Sequence, residues 1–269
     1  MPVLDIDQQG QFLVRDKRKL SLTHSFQTSK LGYRVNIDKG CFIPDDRLLL
    51  KKDIGNQFFV CKLDGSNANV IDLDCTPLNI SLYDQKHSVV SLGDAGIQII
   101  DLTSLTPGRI IKVEGFCRRI TSVKDKIWVN NKVHTLSIVD MTGKVLKVIQ
   151  TTFDPYDICA HQDGDVYYTN YDNDKVFLVF SDGKEREIYK SPDLQESDGV
   201  AVDDRGDIYV AGRVSNNIHK ISNAGQKHEI VLTADDGMNL PTGLSYNNET
   251  KELLVLNDYG ESINIYKTQ

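Results

Sequence analysis

The 269-residue chain sets 31 lysines and arginines against 38 aspartates and glutamates, a formal net charge of −7, with 40% hydrophobic residues. That apolar content suffices for a sizeable core, and the acidic balance excludes a global pull toward nucleic acid or an anionic membrane. No apolar run approaches the ~20 residues of a membrane-spanning helix.

The opening stretch MPVLDIDQQGQFLV lacks the basic and long apolar regions of a secretory signal, so a cytoplasmic location is expected. Residues 1–18 read as a leader lying along the body, and residues 19–269 as a single domain. Within the leader, DIDQQGQFLVRD resembles the repeat described next and raises a rival seventh unit. Its following RDKRK, however, offers no residue suited to a hairpin reversal. KLSLTHSF (19–26) then alternates apolar and polar residues, as an isolated strand does.

From there the chain repeats itself. Strands beginning at Leu48, Val89, Ile127, Val166, Ile208 and Leu253 recur about every 40 residues, the period of propeller blades with four strands each. Each is followed by a turn rich in Gly, Asn or Asp: Gly55-Asn56, Asp94-Ala95-Gly96, Asn130-Asn131, Asp172-Asn173, Asn216-Asn217 and Tyr259-Gly260. A third strand follows in every unit. A second turn, at Asp64-Gly65, Pro107-Gly108, Thr142-Gly143, Asp182-Gly183 and Ala224-Gly225, leads to a fourth strand in the first five. The sixth unit stops after SINIYK, which leaves an open edge that KLSLTHSF can cover. The expected fold is all-β: a six-bladed β-propeller closed by an N-terminal strand pairing with the last blade. Trp128, Tyr167 and Tyr209, central in their strands, read as packing between blades. No apolar stripe of helical period competes.

GVAVDDRGDIYVAGRVSNNIHKIS, residues 199–222, resembles an NHL repeat, and the blade order over residues 19–269 is similar to the C-terminal propellers of invertebrate tripartite-motif proteins. The resemblance implies a non-catalytic protein-interaction propeller, like the substrate-recruiting end of a tripartite-motif ubiquitin ligase. No zinc-ligand cluster of a RING or B-box and no coiled-coil heptads are present. The five cysteines are scattered without a C-x-x-C pair and read as packed thiols.

Propeller ligands sit over the central channel. Aligning the repeats places Lys39, Asn79, Arg119, Asp157 and Gly199 at one level and Arg118, Tyr156, Asp198 and Thr242 one step earlier, with Arg213 on a neighbouring loop. Lys39, Asn79, Arg118, Arg119, Tyr156, Asp157, Asp198 and Arg213 are therefore the candidate channel rim. Their mixed signs suit hydrogen-bonded recognition of a protein partner, with no cofactor and no metal expected. Two alternatives stand beside this. Lys39, Arg118, Arg119 and Arg213, extended by Lys51 and Lys52, form a face for RNA phosphates. Asn79, Asp157 and Asp198 supply oxygens for a calcium-dependent, lactonase-like hydrolase, although Arg119 would repel the ion. The six histidines fall mostly on outer strands or turns.

Overall fold

The computed structural model describes residues 20–268 apart from Ala224 and Gln226, together with the backbone of two short strands, Leu4–Ile6 and Phe12–Val14. Those two pair antiparallel only with each other; otherwise the expected leader lies outside the described residues. The remaining strands form six antiparallel four-stranded sheets in chain order, the blades of a closed ring. The innermost strands are Ile37–Ile43, Asn79–Leu82, Arg119–Val123, Asp157–Ala160, Ser197–Val202 and Leu244–Asn247, and each touches the next around the channel. Among the described residues the helical segments are 3-10 turns of three or four residues.

The sixth blade is completed as expected. Leu20–Gln27 pairs antiparallel with Ser262–Thr268, from Gln27 opposite Ser262 to Leu20 opposite Thr268. Phe26 and Leu20 are buried by this pairing, each contributing about 1.5–3 kcal/mol of apolar burial to ring closure. The core divides into six clusters, and each draws residues from two neighbouring blades. Trp128, Tyr167 and Tyr209 belong to three of them, and Tyr209 stacks on Tyr246 of the next blade at 5.8 Å. A blade that cannot hide either face alone is thus covered by its neighbours.

Some turns fall elsewhere than expected. Asn130 and Asn131 lie inside the strand Lys126–Lys132, and the reversal comes at His134, whose φ is 53°. Asn130 is held in place by donating to the carbonyls of Lys132 and Thr135. Pro107-Gly108 lies inside the outermost strand Thr106–Ile111, where a missing backbone donor costs least, and Leu105 makes the turn with φ 55°.

The residues that carried the NHL likeness serve the blade's own turn. Asp203 Oδ1 accepts the backbone N–H of Arg205 and of Asp207, both at 2.9 Å, and Gly206 takes φ 83° between them. The motif is an architectural device for reversing a strand.

Candidate functional site

Two innermost strands are bulged where they reach one mouth of the channel. In the first blade Ile37 pairs with Lys52 but Lys39 with Lys51, so the register slips at Asp38. In the fifth, Ser197 pairs with Gly212 but Val200 with Val210, so it slips at Asp198-Gly199. A bulge re-aims side chains that strict alternation would send to opposite faces. Here consecutive Asp38 and Lys39 both line one cavity, and Asp198 joins them. Glycine is required at 199, because a Cβ would stand 2.3 Å from the carbonyl oxygen of Thr242 in the sixth blade.

Under the cavity lies a buried ion pair. Lys39 Nζ of the first blade stands 3.1 Å from Asp157 Oδ1 of the fourth, the blade opposite in a ring of six. Both residues are less than a tenth exposed. Asn79 Nδ2 of the second blade donates to the same oxygen at 3.3 Å, and the Val200 N–H of the fifth donates to Asp157 Oδ2 at 3.2 Å. One carboxylate therefore ties four blades together. Thr169 Oγ1 joins two of them again, donating to the Asp198 carbonyl and accepting from the Asp157 N–H.

Above this floor the cavity has a volume of about 140 Å³ and is lined by Lys39, Arg119, Tyr156, Asp198, Arg213 and Thr242, with Asp38, Asp53, Ile37 and Tyr259 at its wall. Among the described residues, nine buried side-chain nitrogen or oxygen atoms lack a hydrogen-bond partner. Four of these belong to residues lining this one cavity: Lys39 Nζ, Arg119 Nε, Arg213 Nε and Thr242 Oγ1. Lys39 is ion-paired by distance, but its ammonium is off the hydrogen-bond direction toward Asp157. All four atoms can donate, and buried donors without acceptors are costly.

Burial pushes the Asp198 carboxyl up to about 6, against the pull of Lys39; the negative charge of Asp157 adds to the rise, and Arg119 and Arg213 oppose it. Burial and then Asp198 hold the Tyr156 hydroxyl at about 12, so it stays protonated at neutral pH. Asp38 is also raised by burial, against its ion pair with Lys51 at 2.6 Å.

Of the expected rim residues, Lys39, Arg119, Tyr156, Asp198 and Arg213 line the cavity. Asn79 and Asp157 are sealed beneath it. Arg118 stands apart, half exposed and paired with Asp154 at 2.9 Å. Asp38 and Tyr259 belong to the cavity but escaped the repeat alignment, because the bulge at Asp38 has no sequence signal. Tyr259 was legible only as a turn residue beside Gly260, whose φ of 82° that turn requires. None of the histidines lines the cavity.

The donor set does not fit the calcium ion that a lactonase-like propeller implies. A hard cation needs several converging oxygens. Here the central carboxylate, Asp157, is already neutralised by an ammonium, and Asn79 turns its NH₂ toward it. Among the described residues no group of three or more His, Cys, Asp or Glu could hold a metal. The residues of the expected RNA face form no continuous basic surface: Lys39, Lys51, Arg118 and Arg213 each lie beside a carboxylate.

Neither a protein-family model nor a curated protein sequence matches the chain. Solved structures do match. One is a luciferin-regenerating enzyme, with TM-score 0.71 and 15% identity over 92% of this chain and 95% of that one. Another is a gluconolactonase from Xanthomonas campestris, with TM-score 0.71 and 14% identity over 88% of this chain and 87% of that one. A virginiamycin B lyase from Staphylococcus aureus has TM-score 0.64 and 11% identity over 93% of this chain and all of that one.

At such identities the likeness establishes the fold, a six-bladed β-propeller, and nothing in it is specific to NHL or tripartite-motif proteins. The expectation of a non-catalytic propeller that recruits substrates for a ubiquitin ligase is corrected by these neighbours, which are enzymes. Its physical weakness is visible in the molecule: Asp203 and Gly206, the turn residues of the motif behind it, serve a strand reversal common to any blade.

Proposed function

We propose that the chain is an enzyme that hydrolyses a small, oxygen-rich ester or lactone in the axial cavity, without a divalent cation. The single observation behind this reading is that one cavity is lined by the ion-paired Lys39, by Arg119, Arg213 and Thr242, which each carry a buried donor without a hydrogen-bond partner, and by a carboxyl raised to about 6. A base that is ionised at neutral pH yet close to it suits proton transfer. The volume approaches the ~150 Å³ of an engineered cavity that holds benzene, so a small molecule fits and a folded partner does not.

In this reading Asp198 takes a proton from water as the water oxygen bonds to the acyl carbon. The Lys39 ammonium, fixed by Asp157, faces the oxygen on which negative charge develops. The acyl C–O bond then breaks and Asp198 returns the proton to the leaving alkoxide, giving an acid and an alcohol, or from a lactone a single hydroxy acid. The fold likeness to a gluconolactonase supports the reaction class, and Lys39 supplies the positive charge that an ion would bring. Five free cysteines fit a reducing compartment, and a cytoplasmic setting is part of the proposal. Among the described residues no helix is long and apolar enough to cross a membrane. The NHL-like pattern of the fifth blade we take as a likeness in how a blade is built.

The test is a panel of small lactones and esters assayed with and without chelator. The expected result is turnover of at least one member that survives chelation and is lost in Asp198→Asn. Full activity in that variant, or no turnover across the panel, would remove the proposal.

A further inference from the structure

The two cavity arginines share an arrangement that neither the ion pair below nor the proton chemistry uses. Arg119 lies with its guanidinium carbon 5.0 Å from the centre of the Tyr156 ring, and Arg213 lies 5.0 Å from that of Tyr259. Tyr156 in turn stacks on Tyr171 at 4.6 Å, and Tyr171 Oη accepts from Arg213 Nη1 at 2.7 Å. Glu196 Oε2 stands 3.2 Å from the same nitrogen. Each planar cation is thus oriented by an aromatic face, which leaves in-plane donors open; Arg213 spends Nη1 on Tyr171 and Glu196, and its Nε stands outside those contacts. In both, Nε is buried without a hydrogen-bond partner, and Thr242 Oγ1 is a third such atom on the same wall.

Buried donors of this kind are met by water, an ion or a ligand, and charged ones bind an anionic acceptor most strongly. Water could meet them one at a time, but two fixed guanidinium groups on one small cavity match the several oxygens of a single anion.

We propose that Arg119 and Arg213, with Thr242, form an oxyanion clamp that binds a carboxylate or phosphate group carried by the substrate. This rests on the small-molecule reading above and narrows it: the ester or lactone is itself anionic. Arg119 and Arg213, which both line the cavity, are then substrate-binding residues that set specificity for that group.

The experiment uses the whole chain and two probes, acetate and inorganic phosphate, titrated by calorimetry at an ionic strength fixed with sodium chloride. Saturable binding of one probe is expected, and the tighter probe identifies the group. Arg119→Lys and Arg213→Lys keep the charge but lose the stacked fork, and each should weaken binding by about tenfold or more. Arg118→Lys, outside the cavity, should leave it unchanged. Asp198→Asn should retain binding. If it does while the wild-type chain hydrolyses nothing, the clamp stands and the hydrolase reading falls. Binding no stronger than that of chloride, or wild-type affinity in either cavity variant, overturns the clamp.

Discussion

The two mouths of the channel are built from the same six strands and end in opposite chemistry. At one mouth Lys39, Arg119, Asp198 and Arg213 line a cavity with donors that no protein atom accepts. At the other, further along the same strands, Ser81, Thr121, Ser122 and Ala160 line a wider opening. There the polar groups satisfy one another. Ser122 Oγ donates to the Leu82 carbonyl at 2.6 Å, Ser81 Oγ lies 3.1 Å from Ser122 Oγ, and the Ala160 N–H donates to Thr121 Oγ1 at 3.0 Å. Among the described residues, no side chain lining that mouth has a buried atom without a partner. A wider opening is therefore not the better candidate site. What separates the mouths is whether polar groups are already matched, and the smaller one is where they are not.

The largest expected effect that tests this contrast is catalytic. Asp198→Asn should lower turnover by about 10²–10⁴-fold, the range for removing a general acid–base group, whereas Ser122→Ala at the other mouth should leave turnover unchanged in the same assay. The aspartate also sets a pH dependence of stability. Its folded pKa is raised, so between the unfolded value near 3.8 and about 6 the native state holds a proton that the unfolded state has lost. This group's contribution therefore worsens as pH rises through that window. Denaturant melts should show Asp198→Asn gaining on the wild type from pH 4 to pH 7, by at most about 3 kcal/mol.

The largest effect on stability is expected at the floor. Asp157→Ala leaves Lys39 buried without its carboxylate and should cost about 3–5 kcal/mol, read as a lower denaturation midpoint. A smaller effect is expected at the matched mouth, where Ser122→Ala removes one shared hydroxyl and should cost about 1 kcal/mol in the same melts. Smallest of all, added calcium should leave the wild-type melting temperature unmoved, because Lys39 already neutralises the carboxylate a cation would need. A calcium-dependent rise would break the contrast at its base.

Most of the architecture was legible in the sequence because blades obey local rules. The period of Leu48, Val89, Ile127, Val166, Ile208 and Leu253 reports strand spacing, and the missing strand after SINIYK announced the closure by Leu20–Gln27. Turn positions failed where a side chain serves a strand: Asn130 satisfies neighbouring carbonyls, so an asparagine pair that looks like a turn is not one. The site was half legible. Aligned positions brought Lys39, Arg119, Asp157 and Asp198 to the channel, but they could not show that Lys39 reaches across to Asp157 from the opposite blade. Nor could they show the slip at Asp38, since a bulge is decided by pairing with Lys51 and Lys52 and by no residue type. The NHL likeness misled about function because the Asp203 and Gly206 of its pattern serve a turn, which any blade needs whatever it binds.

The most direct measurement of the central claim needs no substrate. Following the side-chain carboxyl carbon of Asp198 by NMR across pH, with the Asp198→Asn variant to assign the signal, should give a midpoint near 6 that chelator does not move. A midpoint in the ordinary carboxylate range near 4 would mean that this mouth is solvated like any polar surface, and the account of a desolvated, donor-lined catalytic cavity would be contradicted.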